Sequence, residues 1–304
     1  MSNAAQPETP QSRSATLLTA ILAAAVLAGS AWILYRQLQA ISFHMVIAAI
    51  RTQAALPVAL SLLCTAISFA GLASYDLFAA RVVTARVKPG LALLAGATAN
   101  AISNTLGFHA VTATAVRYRV YGRAGLGIGD IARIISLSGA AIGLSVAATL
   151  AVALLLRAEA LTIGIGALLA AILFVLIAWL RGGRRSVSLF GFVIDLPPAR
   201  IALIQMGIGL VEMTASIGAL YVLLPAGVTP PFVTFVMAMT IALVLGVVGH
   251  TPGGLGVFEA SIVSVLGAHA DVLAALLVYR VTYYLVPFAL SLIALAIHEL
   301  RREA

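Results

Sequence analysis

Four ionisable side chains lie in or beside long apolar stretches of this 304-residue chain: Asp76, Glu212, Glu259 and Arg280. A charge at the centre of a membrane helix costs about 2.5–3.5 kcal/mol on insertion scales, so each needs a partner or water. An ion pair of Arg280 with Glu259 or Glu212 is the simplest compensation, and an arginine that binds a lipid phosphate is the functional alternative. Asp76 ends its apolar stretch five residues before Arg81, and we interpret it as structural.

A glycine-rich string from His250 to Glu259 interrupts one apolar stretch. Gly253 and Gly254 free the backbone to bend, and a helix beginning near Val257 would direct its unpaired amide groups at whatever occupies the break. Such a helix end attracts anions. Glu259, in the first turn of this helix, could be a structural cap, a proton or cation site, or the partner of an intramembrane arginine.

A second interrupted stretch carries the side-chain amides of Asn100 and Asn104, which could offer donors and acceptors to a polar headgroup. Arg117, Arg119 and Arg123 follow within a tyrosine-containing string. This string could form a patch that faces lipid phosphates, or an ordinary cytoplasmic loop with interfacial tyrosines.

The composition places these residues in a membrane protein. The chain is 62% hydrophobic and 9% charged, with a mean hydropathy of +1.11, whereas about a quarter of an average soluble domain is charged. This excludes an ordinary soluble domain and a disordered chain. The net charge of +8 fits the positive-inside bias of membrane loops, so nucleic acid is not an expected partner.

Apolar runs of about 20 residues predict spanning helices. Six such runs cover residues 16–35, 56–78, 134–156, 161–180, 201–224 and 272–297. Residues 1–15 are interpreted as a mobile polar tail, and residues 37–52 have the periodicity of a helix lying in the interface. A signal peptide is the alternative interpretation of the first run.

The two interrupted stretches described above cover residues 91–114 and 231–266. The stretch at 91–114 is interrupted by Asn100, Ser103, Asn104, Gly107 and His109. Unpaired backbone groups in hydrocarbon cost on the order of several kcal/mol unless the break is buried in protein or lines a wet cavity, so both breaks are interpreted as functional. If both segments return to the side they entered, fourteen of the eighteen basic residues lie on the cytoplasmic side with both termini. If both cross, that number falls to seven, so the positive-inside rule favours re-entrant hairpins.

This order of segments occurs twice, and the second copy runs in the opposite direction. The predicted fold is therefore all-α: a polytopic integral membrane protein with six spanning helices and two re-entrant helical hairpins in an inverted repeat. The first repeat covers residues 16–156 and the second residues 157–304. Paired interrupted segments in two inverted halves are the best sequence pointer to a transport site near the bilayer midplane.

Other chemistry finds little support in the sequence. There is no phosphate loop for ATP and no HExxH string, and the five histidines are scattered. We expect no cofactor and no metal, with a gradient or another subunit as the energy source. The expected partner is a membrane phospholipid or another lipid, and a homodimer or a lipid-synthesising partner enzyme is left open.

Four strings resemble the membrane region of the bacterial lysylphosphatidylglycerol synthase family, also called the multiple peptide resistance factor. They occupy residues 104–108, 117–121, 252–259 and 279–280. In that family the membrane region is regarded as a flippase that carries aminoacylated phosphatidylglycerol to the outer face, while a separate C-terminal domain attaches the amino acid. The chain ends seven residues after position 297, so the resemblance implies the flippase half without synthase activity. The positions it matches are Asn104, Arg117, Arg119, Gly253, Gly254, Glu259 and Arg280.

We expect a transporter-like protein, not an enzyme, of the bacterial inner membrane, with both termini cytoplasmic. It would move an amphipathic lipid, phosphate-bearing or aminoacylated, through a polar cavity bounded by the two breaks. The alternatives are an integral-membrane lipid-modifying enzyme with Glu212 or Glu259 as general base, a secondary transporter of a small solute, and a non-transporting partner of another membrane enzyme. The candidate headgroup-binding residues are Asn100, Asn104, Arg117, Arg119, Glu212, His250, Gly253, Gly254, Glu259, Arg280 and Tyr283.

Overall fold

A computed structural model describes most of the chain from residue 53 onward, and all the described residues belong to one compact unit, Phe43–Ala304. The described ranges are residues 53–84, 86–107, 109–183, 185–189, 192–248, 257–267 and 269–303. Outside them lie the predicted polar tail, the first predicted span, the predicted interfacial helix, and His250, Gly253 and Gly254.

The described residues are almost wholly helical, as the fold class predicts. The helices are α1 (Ala55–Val83), α2 (Pro89–Leu106), α3 (His109–Gly122), α4 (Ile128–Leu155), α5 (Ala160–Leu180), α6 (Ala199–Tyr221), α7 (Phe232–Val248), α8 (Val257–Leu266), α9 (Ala270–Tyr279) and α10 (Val286–Glu303). A six-residue π-helix, Arg280–Leu285, joins α9 to α10.

A short antiparallel hairpin between α5 and α6 is the exception to the all-α expectation. Its strands are β1 (Ser186–Leu189) and β2 (Phe192–Asp195), paired with Ser186 opposite Asp195. Alternating polar and apolar residues in β1 have the period of a strand.

Among the described residues, five helical segments are long and apolar enough to cross a membrane. They are Ala55–Val83, Ile128–Leu155, Ala160–Leu180, Ala199–Tyr221 and Ala270–Arg301. Their ends lie within six residues of five predicted spans, while the sixth predicted span lies outside the described residues. Large apolar side chains on these helices are exposed, such as Leu168 and Phe174 on α5 at 63% and 75%. A surface of this kind is suited to contact with lipid chains.

The first interruption is narrower than the sequence predicts. Helix α2 continues through Asn100 and Asn104 and ends only at Gly107, whose φ of 76° is favourable for glycine. The expectation that Asn100, Ser103 and Asn104 break the helix is therefore wrong. The reason is local hydrogen bonding: Asn100 Nδ2 donates to the Gly96 carbonyl at 2.8 Å, and Ser103 Oγ donates to the Asn100 carbonyl at 3.2 Å.

Helix α2, which ends at Gly107, packs against α3. Helices α7 and α8 form a second packed pair. Helices α1, α4 and α6 pack together at the centre, and α1 and α6 also contact the π-helix. Gly71 allows the close approach of α1 to α6, because a Cβ atom there would lie 2.7 Å from Cβ of Glu212.

Candidate functional site

A cavity of about 380 Å³ lies where the central helices, both helix pairs and the π-helix meet. Its polar lining is formed by Asn100, Asn104, His109, Glu212, Ser216 and Tyr283. The rest of its lining is almost entirely apolar: Leu72, Ile142, Gly143, Val146, Met213, Ala242, Leu243, Val244, Phe258 and Tyr284. Four of the predicted site residues, on α2, α6 and the π-helix, are therefore brought to one cavity.

Among the described residues that line the cavity, Glu212 is the acidic one. It lies near the middle of α6, and 4% of its surface is exposed. Ser68 Oγ donates a hydrogen bond to Glu212 Oε1 at 2.9 Å and lies 2.9 Å from Tyr283 Oη. No ion pair involves Glu212 among the described residues, so neighbouring hydroxyl groups provide its polar environment.

The α2 amides reach the cavity near the bend of the first helix pair. Asn104 Oδ1 lies 3.1 Å from Nε2 of His109, which begins α3 on the other side of Gly107. This hydrogen bond holds the ends of α2 and α3 together. Asn100 lines the same cavity about one turn earlier on α2.

Arg280 pairs with Glu259, which decides between the two partners that the sequence left open. Nε of Arg280 donates to Glu259 Oε1 at 2.8 Å, and Nη2 donates to the same oxygen. The guanidinium carbon lies 4.6 Å from the ring centre of Tyr284 and 5.7 Å from that of Phe258. Arg280 is not part of the cavity lining, but both of these aromatic residues are.

An aromatic cluster connects this ion pair to the surroundings of Glu212. Tyr279 stacks on Phe258 with ring centres 5.9 Å apart and on Tyr283 at 5.1 Å. Tyr283 also contacts Tyr284 at 5.6 Å and Phe69 of α1 at 5.5 Å. A movement of Arg280 would therefore be transmitted through ring contacts to Tyr283, whose hydroxyl lies beside Ser68.

The structure contradicts both interpretations of Arg117, as part of a patch that faces lipid phosphates and as part of a cytoplasmic loop. Arg117 lies within α3, is 4% exposed and binds Asp76 of α1, with Nε 2.9 Å from Oδ2 and Nη2 2.8 Å from Oδ1. Tyr121 Oη and Ser138 Oγ donate to the same carboxylate at 3.0 and 2.8 Å. This cluster joins α1, α3 and α4, which agrees with a structural role for Asp76 and explains why Arg117 is directed inward.

Arg119 and Arg123 have a different position at the end of α3. Nε of Arg119 lies 3.0 Å from Glu299 Oε1 on α10, and Arg123 also pairs with Glu299. The side chains of Arg119 and Arg123 are 52% and 47% exposed. They are accessible to a lipid phosphate, so the predicted phosphate-facing patch is reduced to these two arginines.

The remaining predictions concern the glycine-rich break. Helix α8 begins at Val257, as the sequence predicts, and Glu259 lies in its first turn.

Within the described part of the chain, no group of three or more His, Cys, Asp or Glu residues could hold a metal ion.

Sequence reasoning missed the contributions of Ser68, Phe69, Ser216 and Phe258. Ser68 and Ser216 are single serines in apolar stretches, with no local signal that distinguishes them from helix-packing residues. The distance in sequence from Ser68 to Glu212 is 144 residues, so only the tertiary fold reveals their contact.

No family model matches the chain. An uncharacterized protein of Synechocystis, slr0712, is 38% identical over 112 residues, and the inner membrane protein YbhN of Escherichia coli is 35% identical over 120 residues. The matches cover 35% and 38% of this chain and 35% and 37% of those relatives, so the chain matches about a third of their length. The apolar helices and the inner-membrane relative support a membrane protein, and the resemblance to the lysylphosphatidylglycerol synthase family remains a prediction.

Proposed function

We propose that this protein moves an amphipathic lipid between the leaflets of the bacterial inner membrane. The observation that carries the proposal is the cavity, which combines amide, imidazole, carboxyl and hydroxyl groups with apolar walls among helices long enough to span a bilayer. A lipid has the same division between a polar head and apolar chains. The polar groups would replace water around the headgroup, while the apolar lining accommodates the first part of the chains.

The proposed membrane arrangement has six spans, the first at residues 16–35, and two re-entrant pairs, α2–α3 and α7–α8. Helix α8 has ten residues and is about 15 Å long, about half of the ~30 Å hydrocarbon thickness. Lys88 precedes α2 and Arg123 follows α3, so basic residues mark both open ends of the first pair. The positive-inside rule supports placing these two ends, and both chain termini, on the cytoplasmic side.

The inverted repeat is part of this proposal. In each half a long helix, α1 or α6, is followed by a helix pair and then by another long helical segment. Placing the two pairs on opposite sides of the membrane would bring Asn104 and the start of α8 toward one central cavity. Alternating access around such a central site is the usual mechanism of inverted-repeat transporters.

In the proposed mechanism, Arg119 and Arg123 attract the anionic headgroup at the cytoplasmic surface. The headgroup then enters the cavity, where Asn100, Asn104 and Tyr283 offer hydrogen bonds. If the ion pair between Arg280 and Glu259 then breaks, the Arg280 guanidinium can bind the phosphate at the side of the cavity next to this pair.

The lipid chains need a way out of the cavity into the bilayer. Gly143 of α4 and Val244 of α7 line the cavity and are themselves exposed, which supports an opening between these two packed helices. The chains would remain in the bilayer through this opening while the headgroup crosses.

The resemblance noted from the sequence supports a phosphate-bearing cargo, aminoacylated or not. Synthase activity is not part of the proposal. A phosphate-bearing cargo fits the exposed arginines of α3 better than an uncharged one, because a phosphate binds guanidinium groups by charge-assisted hydrogen bonds.

Translocation of a fluorescent phospholipid in proteoliposomes tests the proposal. An outside quencher measures how fast labelled lipid leaves the inner leaflet, and we expect the wild-type protein to accelerate this exchange. Arg280→Ala and Glu259→Ala should both slow it, whereas Arg86→Ala, at an exposed arginine before α2, should not. Wild-type rates in both site variants would show that the site is wrongly assigned.

The same vesicles separate the alternative functions. Mass spectrometry of the recovered lipid detects a modified headgroup, which the lipid-modifying enzyme predicts and the flippase does not. Uptake of a soluble solute that does not depend on lipid composition would favour the secondary transporter. A wild-type protein that accelerates neither process contradicts transport altogether.

A further inference from the structure

Glu212 differs from Asp76 and Glu259, two other acidic residues on the helices around the cavity. Asp76 is compensated by Arg117, and Glu259 is compensated by Arg280. Glu212 forms no ion pair among the described residues, although it is 4% exposed and lies near the middle of α6. A charge at that depth is costly without a cation, so a carboxyl group there favours reversible protonation.

Among the described residues, the groups that face Glu212 from the neighbouring elements are hydroxyl groups. Tyr75 of α1 and Tyr283 of the π-helix interact electrostatically with it, and Ser68 of α1 donates to its Oε1. The Tyr75 hydroxyl donates to Ser145 Oγ of α4 at 2.9 Å, so this phenol is directed toward Ser145.

Two other ionisable groups lie at or beside the cavity. His109 lines it from α3 and is bonded to Asn104, and Tyr284 lines it near Arg280. Arg280, which contacts the aromatic cluster, is bound to Glu259. Among the described residues of the cavity lining, Glu212 is therefore the acidic group, and it has no cationic partner there.

A proton suits this position better than a metal ion. Calcium takes about six to eight oxygen ligands, whereas among the described residues the hydrogen-bond partner of Glu212 is the single hydroxyl of Ser68. Among the described residues, no three His, Cys, Asp or Glu side chains are grouped at the cavity as metal ligands. Oε2, which Ser68 does not engage, is the oxygen available to take a proton from cavity water.

An ionised Glu212 would also repel the cargo. A phosphate-bearing headgroup carries negative charge, and two like charges in one weakly solvated cavity oppose each other strongly. Protonation of Glu212 removes this repulsion, and the protonated carboxyl becomes a hydrogen-bond donor for the phosphate.

We infer that Glu212 takes up one proton with each phosphate-bearing headgroup, so that lipid movement is coupled to the proton gradient across the membrane. An O–H bond forms at Oε2 when the headgroup enters from one side, and it breaks to return the proton to water when the headgroup leaves on the other. A singly charged headgroup and its proton then cross together without net charge. This inference rests on the proposed lipid transport and adds its driving force.

The first experiment measures the proton on Glu212 without any lipid movement. Infrared difference spectra of the purified protein in a bilayer, recorded between mildly acidic and mildly alkaline pH, should contain a protonated-carboxyl band. This band should disappear in Glu212→Gln and persist in Glu159→Gln, a matched change at an exposed glutamate before α5. Because Gln keeps the Cβ and Cγ that pack against Gly71, the variant should fold.

The second experiment measures coupling in proteoliposomes containing labelled phosphatidylglycerol. One proton per headgroup predicts that the equilibrium ratio of labelled lipid between leaflets changes about tenfold per unit of imposed pH difference. Glu212→Gln, a mimic of the protonated state, should still exchange lipid but show a ratio that does not respond to the gradient. Glu159→Gln should respond like the wild type.

The results separate the inference from the proposed function. Lipid exchange in the wild type with no response to the pH difference would overturn the coupling and leave lipid transport intact. An absence of lipid exchange would reject the transport and the coupling together, and the infrared band would then decide whether Glu212 binds a proton. A carboxyl band that survives in Glu212→Gln assigns the proton to another residue and contradicts the inference.

Discussion

Arg117 and Asp76 form a buried ion pair that joins α3 to α1, with Nη2 of the arginine 2.8 Å from Oδ1 of the carboxylate. Two further donors, Tyr121 and Ser138, complete the surroundings of this carboxylate. The pair anchors the second helix of the α2–α3 hairpin against two central helices. We therefore expect the loss of this ion pair to lower the stability of the protein, whatever its effect on transport.

Arg117→Ala should destabilise the protein by about 3–5 kcal/mol, because it leaves the Asp76 carboxylate buried without its cation. Thermal unfolding in detergent, followed by loss of helical circular dichroism, measures the change. Arg119→Ala is the matched control, since that arginine is exposed and its pair with Glu299 should contribute about 1 kcal/mol or less. Equal effects of the two variants would contradict the anchoring role.

Gly71→Ala should also destabilise the protein, by about 1–3 kcal/mol, because the new methyl group would meet Cβ and Cγ of Glu212 at 2.7 and 2.8 Å. Gly90→Ala, near the start of α2, has no neighbour within 4 Å and should be neutral or slightly stabilising. The same unfolding measurement compares them. A harmless Gly71→Ala would mean that α1 and α6 are not held this close together.

Gly143→Phe should block lipid translocation while leaving the fold intact. A Cβ atom at this position would meet nothing within 4 Å, and the residue lines the cavity on the side of the proposed opening. Gly139→Phe is the matched control, because Gly139 lies one turn earlier on α4, a Cβ atom there also meets nothing within 4 Å, and the residue is not among the described cavity lining. Translocation rates in proteoliposomes should fall about tenfold or more for the first variant only, a barrier increase of about 1.4 kcal/mol. Equal rates would place the lipid route elsewhere.

Exchanging the charges at positions 259 and 280 separates structure from transport. Glu259→Arg combined with Arg280→Glu should recover much of the thermal stability that Arg280→Ala loses, because it restores opposite charges across the same gap. It should not restore lipid translocation, since the guanidinium would no longer contact the rings of Phe258 and Tyr284 in the same way. A charge-exchanged protein that transports at the wild-type rate would limit Arg280 to a structural role.

Much of the helical framework could be predicted from local sequence. Runs of apolar residues give five spans to within six residues at each end, and the glycine-rich string predicts the start of α8 at Val257. The sequence left open whether Arg280 pairs with Glu259, pairs with Glu212 or binds a lipid phosphate, and the structure has the pair with Glu259. These predictions depend on hydropathy and backbone freedom, which nearby residues determine.

The site itself depends on contacts that the local sequence does not contain. Arg117 reaches Asp76 across 41 residues and Ser68 reaches Glu212 across 144, so sequence spacing alone gave neither contact. The helix through Asn100 was mispredicted because a polar residue in an apolar run indicates either a break or a hydrogen bond to the preceding turn. Only the geometry of that turn distinguishes the two.

The π-helix at Arg280–Leu285 has a consequence for the last span. A π-helix hydrogen bond closes over five residues where an α-helical bond closes over four, so each widened turn holds an additional residue and rotates the chain beyond it. Arg280 is thereby directed toward α8, while Thr282, two residues later, lies 2.9 Å from Ser61 Oγ on α1. Deleting one residue from this segment would restore regular winding at the expense of its contacts with either the first half of the protein or the second.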